Sequence, residues 1–185
     1  MKKQMLILVA SLGFGVMSFA QDGKSGGSGM ADDVRFGPKA GVTFTNFTGD
    51  GDFDGKTGFF VGGFADISIS EKFHVQPEVL YSSEGADDAS IDYIRIPIMA
   101  KYYVAEGFNL MAGPNVGFKV ATENDFVDEA TKSTDFGLGL GAAYDLPMGL
   151  IIEARYNLGL ANINDDSDAG DNKNTGFQIG LGYKF

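Results

Sequence analysis

The feature that most constrains this chain is a period-two alternation of apolar and polar residues, repeated in eight segments between residue 35 and Phe185. Successive side chains of a strand point to opposite faces, so each segment reads as a strand with one apolar and one polar face. In the first, Phe36, Ala40, Val42 and Phe44 share one face and Lys39, Gly41, Thr43 and Thr45 the other. Phe59, Val61, Ala65, Ile67 and Ile69 alternate with Gly58, Gly62, Asp66 and Ser68; Phe73, Val75, Val79 and Tyr81 alternate with His74, Gln76, Glu78 and Ser82. The same pattern runs through Ile94–Val104, Phe108–Val120, Phe136–Tyr144, Leu150–Leu160 and Phe177–Phe185. Ordinary strands average about 5–6 residues, whereas a tilted membrane-crossing strand needs about 9–11. Most of these segments reach the longer figure, so the expected fold is all-β: an eight-stranded antiparallel up-and-down transmembrane β-barrel.

The connections agree with a membrane. Three are short, around Ser70–Lys72, Ala105–Gly107 and Leu146–Gly149, and four are long and polar, Thr48–Lys56, Ser83–Ser90, Ala121–Ser133 and Ala161–Asn174. Read this way they alternate long and short along the whole chain, as tight periplasmic turns and longer extracellular loops would. The long connections hold fourteen of the 25 acidic residues, among them Asp50, Asp52, Asp54, Glu84, Asp87 and Asp88, which gathers negative charge at one end.

The N-terminal residues read as a targeting segment. Lys2 and Lys3 precede an apolar run, Met5–Val16, and Ser18-Phe19-Ala20 offers small residues for cleavage before Gln21. That run is shorter than the ~20 residues a membrane-spanning helix needs, so a cleaved signal peptide over 1–20 is expected. Residues 21–34 form a flexible linker, with Lys24-Ser25-Gly26-Gly27-Ser28-Gly29 at its centre; a natural tether and a cloning remnant read alike there. The barrel occupies 35–185. The net charge of -11 argues against nucleic acid as a partner, because phosphate recognition needs clustered Lys and Arg. The absence of cysteine excludes disulfides, thiolate catalysis and Cys-based zinc sites.

Eight strands enclose a lumen that side chains just fill. Lys39, Arg95, Lys101, Lys119, Arg155 and Lys184 fall on the inward stripe with Asp66, Glu78, Asp135 and Glu153, and Leu80, Met99 and several glycines share it. Buried charges persist only when paired, so an internal network over Glu78, Arg95, Lys101, Glu153, Arg155 and Lys184 is expected. Glu78 should lie near Arg95 or Lys101 on the next strand, and Glu153 near Arg155 or Lys184. A proton or ion path and a structural plug both use such residues; the packed lumen favours the plug. Pro38, Pro77, Pro97 and Pro114 each remove a ladder donor inside a strand and are expected to mark bulges or kinks.

Candidate sites are sparse. Asp50-Gly51-Asp52-Phe53-Asp54-Gly55 matches the first half of an EF-hand loop, but Val61 stands where the bidentate acid belongs, which excludes a full EF-hand. Asp50, Asp52 and Asp54 remain weak calcium candidates beside the plainer reading of a solvated acidic loop, and Asp165, Asp166, Asp168 and Asp171 carry the same ambiguity. His74 is the single histidine, with no Ser/Asp pattern around it for nucleophilic catalysis. The glycines of Gly137-Leu138-Gly139-Leu140-Gly141 sit in an alternating strand with no helix to follow, so they leave room for bulky inward neighbours and do not cradle phosphate. Tyr81, Tyr102, Tyr103, Tyr144, Tyr156, Tyr183, Phe108 and Phe185 lie near strand ends, where interfacial aromatic girdles belong.

Several stretches together carry a family resemblance. Phe36-Gly37-Pro38-Lys39-Ala40-Gly41-Val42-Thr43-Phe44, Gln76-Pro77-Glu78-Val79-Leu80-Tyr81-Ser82, Asp92-Tyr93-Ile94-Arg95-Ile96-Pro97, Gly113-Pro114 and the closing Gln178–Phe185 are similar to the PorT-type outer-membrane β-barrel family. The architecture is similar to that of small OmpX/OmpA-like barrels. Two positions depart from the family pattern: Arg95 stands where an acidic residue is common, and Glu84 where a lysine often precedes the glycine. The resemblance implies an outer-membrane barrel and little more; the lone His74 and the sparse candidate sites add the expectation of a non-enzymatic chain without cofactors. Its partners would be outer-membrane lipid and lipopolysaccharide, and the barrel assembly machinery that reads the terminal aromatic, Phe185. A monomer serving envelope structure or surface interaction is the leading expectation, and a component of a protein-secretion apparatus the alternative.

Overall fold

A computed structural model describes residues 34–48, 56–86, 89–122, 134–160 and 173–185. Eight strands close into one antiparallel barrel in chain order: β1 (Val34–Thr48), β2 (Lys56–Ser68), β3 (Phe73–Ala86), β4 (Ala89–Tyr103), β5 (Phe108–Thr122), β6 (Thr134–Asp145), β7 (Leu150–Gly159) and β8 (Lys173–Tyr183), with β8 returning to β1. No described helix is long and apolar enough to cross a membrane; the strands make the crossing. The first strand begins at Val34, one residue before the expected barrel boundary. The expected signal peptide, the linker up to residue 33, and Asp50, Asp52 and Asp54 lie outside the described residues.

The register fixes the barrel's geometry. Following directly opposed residues around the wall leads from Val34 through Ile67, Val75, Ala100, Ala112, Leu140, Tyr156 and Phe177 to Phe44, ten residues along β1 from the start. With about 3.3 Å per residue along a strand and about 4.8 Å between strands, that stagger tilts the strands by roughly 40°. An apolar band about 25 Å tall then needs roughly ten residues of each strand. The strands have 10 to 15 residues, so several project past the band.

That projection corrects one expectation. The connection expected to be long over Ser83–Ser90 is mostly strand: β3 runs to Ala86 and β4 starts at Ala89, leaving residues 87–88 between them. Long and short connections therefore do not alternate throughout. Ser82-Ser83-Glu84-Gly85 is polar on both faces because this part of the wall stands above the apolar band, and polarity on both faces looks like a loop. Glu84 is buried inside the barrel and does not belong to the acidic loop set.

The distribution of side chains is inverted relative to a soluble barrel. Among the described residues, sixteen polar or charged side chains are buried against nine apolar ones, while Phe36, Val42, Val79, Ile98, Leu110, Leu140, Ile152 and Leu181 face outward and exposed. A wall apolar outside and polar inside is stable only with hydrocarbon around it. Phe73, Tyr102, Phe108, Tyr144, Tyr183 and Phe185 collect at the turn end, with the last two rings edge to face at 5.2 Å, and Phe44, Phe59, Phe136, Tyr156 and Phe177 at the loop end. Tyr103 departs from the expected girdle: it turns into the lumen, against His74.

The prolines do not shift the register. Pairing is interrupted beside Pro77, Pro97 and Pro114 and resumes in the same register beyond each; the one shift among the described pairs falls between Asp92 and Tyr93. A missing donor weakens one rung, while the neighbouring rungs hold the strands in place. Inward glycines receive bulky side chains. Phe60 lies over Gly41 and Gly180, and Phe64 over Gly37 and Gly182; a Cβ at Gly180 would stand 2.7 Å from the Phe60 ring. Gly107 and Gly149, at φ 72° and 91°, close two of the short turns in the left-handed region that glycine occupies without strain.

Candidate functional site

The chemistry of the described chain is concentrated in its lumen, where ionic side chains form three stacked layers. At the loop end Arg95 of β4 grips Glu84 of β3 through both carboxylate oxygens, Nε to Oε1 at 2.6 Å and Nη2 to Oε2 at 2.5 Å, and Nη2 also donates to Asp135 of β6 at 2.9 Å. Ser82 donates to Glu84 at 2.7 Å, and the guanidinium lies over the Tyr93 ring, 4.7 Å from its centre. Gly117, directly opposite Arg95, leaves space for that side chain: a Cβ there would stand 2.9 Å from Nη1.

The middle layer centres on Glu78. It accepts from Lys39 of β1 at 2.8 Å, from Arg155 of β7 at 2.7 Å and 3.2 Å, and from Gln76 at 2.8 Å. Lys39 also donates to Glu153 at 2.7 Å, and Arg155 lies 3.4 Å from the same carboxylate. Phe64, Met99 and Met111 pack beside these charges. Near the turn end Lys101 donates to Asp66 at 3.2 Å, to Gln76 at 3.1 Å and to Asp145 at 3.4 Å. Lys184 donates to Asp145 at 2.7 Å and Asp66 at 3.3 Å; Tyr103 and Asn109 complete the Asp145 shell, and His74 meets Asp66 at 2.5 Å. Gln76 joins two layers, donating to Glu78 and accepting from Lys101.

The expected pairings are partly rearranged. The structure places Glu153 beside Arg155, as expected, but puts Glu78 with Lys39 and Arg155 and not with Arg95 or Lys101. Arg95 goes to Glu84 and Asp135, Lys101 to Asp66 and Asp145, and Lys184 to Asp66 and Asp145 in place of Glu153. The cause is the narrow lumen. A side chain aimed inward meets strands across the barrel sooner than it meets its neighbour on the wall, so β1 is tied to β3 and β7, β3 to β7, and β4 to β2 and β6. Glu84 and Asp145 were not on the expected network: one sits in a stretch that reads as loop, the other at the foot of β6. Lys119 is half-buried toward the loop end of β5.

The middle layer decides what the lumen can transmit. Lys39, Gln76, Glu78, Met99 and Arg155 are each 1% exposed or less, so water reaches them from neither mouth. Toward the turn end a cleft of about 310 Å³ opens, lined by Arg35, Ser68, Glu71, His74 and Lys184 among others. Ser68 and Asp66 both approach the same ring nitrogen of His74, Nδ1, at 3.5 Å and 2.5 Å, so the ring does not relay a proton from one to the other. Among the described residues no group of three or more His, Asp or Glu side chains is arranged to hold a metal ion.

Comparisons with known proteins agree with this architecture. The family model described as outer membrane protein beta-barrel domain matches residues 6–185. No curated protein sequence matches the chain. Among solved structures, Ail, the attachment invasion locus protein of Yersinia pestis, superposes with a TM-score of 0.54 at 15% identity, covering 83% of this chain and 99% of Ail. Neisserial surface protein A superposes with a TM-score of 0.54 at 13% identity, covering 81% of this chain and 97% of its own. At these identities the likeness concerns the fold, and it is to outer-membrane barrels in general; nothing in it singles out the PorT-type branch. The chain belongs to the outer membrane protein beta-barrel domain family and is an outer-membrane β-barrel.

Proposed function

We propose that this protein is a non-enzymatic, closed outer-membrane scaffold that serves envelope structure or surface interaction through the segments joining its strands at the loop end. The observation that carries the reading is the middle layer, whose Lys39–Glu78–Arg155–Glu153 cluster is sealed from water on both sides. A transport pathway needs a continuous wet path, and a bundle of buried ion pairs opposes one. Export by a signal peptide cleaved before Gln21, assembly through the terminal aromatic by the barrel assembly machinery, and life as a monomer among lipid and lipopolysaccharide complete the reading. A deletion strain tests it. Altered detergent sensitivity or surface binding with normal protein secretion is the expected outcome. A secretion defect with an intact envelope, together with co-purifying secretion machinery, would replace it with the secretion-apparatus role.

A further inference from the structure

Between β1 and β2, and from β5 round through β6, β7 and β8 to β1, the described pairs run without a gap. The other three seams each miss two rungs. Ala65 and Asp66 do not pair with Pro77 and Gln76 across β2–β3, nor Glu78 and Val79 with Pro97 and Ile96 across β3–β4, nor Ile98 and Met99 with Pro114 and Gly113 across β4–β5. One proline stands in each gap, and a proline has no N–H to give the ladder. In the third, the Ile98 carbonyl oxygen lies against Gly113, beside the position where Pro114 lacks its donor. The gaps adjoin, because Pro77 pairs with Ile98 and Ile98 stands opposite Pro114 in the register of the flanking pairs. No intact seam separates them, so their weaknesses add.

Nothing outside the wall replaces those rungs. Val79, Ile96 and Ile98 face outward, toward hydrocarbon that offers no hydrogen-bond donor. Inside, a single fully buried side chain reaches across all three gaps. Lys101 of β4 donates to Gln76 of β3 at 3.1 Å, beyond it to Asp66 of β2 at 3.2 Å, and past β5 to Asp145 of β6 at 3.4 Å. Asp66 and Gln76 are themselves the inward residues of the β2–β3 gap, so this ammonium ties the wall where its ladder is missing. We propose that β2–β5 is a section of the wall built to part locally while the other strands stay paired, and that Lys101 is the latch that holds it shut. Such parting is a motion of the wall itself and needs no passage along the lumen.

Amide hydrogen exchange of the folded protein in lipid nanodiscs tests this, because it reads local opening segment by segment. Amides flanking the gaps, such as those of Ile67, Leu80 and Ala100, are expected to exchange at least about tenfold faster than those of Leu140, Ala154 and Ile179 on the unbroken side. Lys101→Met should speed exchange by a further tenfold or so in β2–β5 alone, since the remaining strands do not depend on the latch. Pro114→Val returns an N–H opposite Ile98 and should slow exchange along β4–β5. Equal exchange around the whole wild-type barrel, or faster exchange in β6–β8, overturns the proposal whether or not either variant folds. A Lys101→Met chain in which all eight strands speed up alike removes the latch, because the lysine then stabilises the barrel as a whole.

Discussion

Arg95 and Glu84 meet through a two-point fork, Nε on Oε1 and Nη2 on Oε2, with eleven residues of chain between them. Either charge is unfavourable alone in a buried site, and the two are acceptable together; Arg95 also answers Asp135.

Exchanging the signs of the pair should therefore be tolerated better than either half of the exchange. Glu84→Lys and Arg95→Asp singly are predicted to cost about 3–5 kcal/mol, the usual penalty for stranding a buried charge. The double variant should recover about 1–3 kcal/mol of the sum, measured as coupling in a double-mutant cycle of urea unfolding in lipid vesicles. Because the pair is buried, that coupling should survive an increase from 0.1 M to 1 M salt.

The Glu78 carboxylate accepts from three side chains at once, so its loss strands more than one charge. Glu78→Leu leaves Lys39 and Arg155 to share Glu153, and about 3–5 kcal/mol of destabilisation is predicted. Glu71→Leu, in an exposed turn, should change stability by less than about 0.5 kcal/mol. Equal effects of the two substitutions would mean that the middle layer contributes little.

The outer face should respond to depth. Leu140 lies midway along β6 and faces outward. Leu140→Arg is predicted to cost about 2–4 kcal/mol, whereas Met148→Arg, in the turn beyond the apolar band, should cost about 0–1 kcal/mol. Folding yields into vesicles at increasing urea separate the two.

Phe60 and Gly180 form a matched pair across the wall. Gly180→Ala places a Cβ against the Phe60 ring and is predicted to cost about 1–3 kcal/mol, as overpacking does. Phe60→Leu in the same chain should return part of that loss. If Gly180→Ala is neutral in the wild-type background, the ring has room that the structure does not show.

These pairings also mark how far the sequence could be read. Which residues face in and which face out depends only on a period of two, so Lys39, Thr43 and Thr45 could be separated from Phe36, Val42 and Phe44 without knowing any strand's partner. Which inward residues touch depends on the ten-residue stagger around the barrel, and no local pattern encodes it; Glu78 meeting Lys39 and Arg155 follows from that stagger and from the narrow lumen. Glu84 was hidden by its neighbours, since Ser82-Ser83-Glu84-Gly85 has no apolar face where the wall rises above the lipid. Phe60 and Phe64 interrupt the polar face of β2, and the readable trace of their burial was the run of glycines at Gly37, Gly41, Gly180 and Gly182 on the strands they lean toward.

The central claim is that the barrel is closed across its middle, and ion conductance of the folded protein in a planar bilayer tests it most directly. The structure predicts a flat trace with no stepwise openings in molar KCl for the wild-type chain. Sustained steps whose size grows in proportion to salt concentration would contradict it, because ions would then be passing the layer that Lys39, Glu78, Glu153 and Arg155 seal.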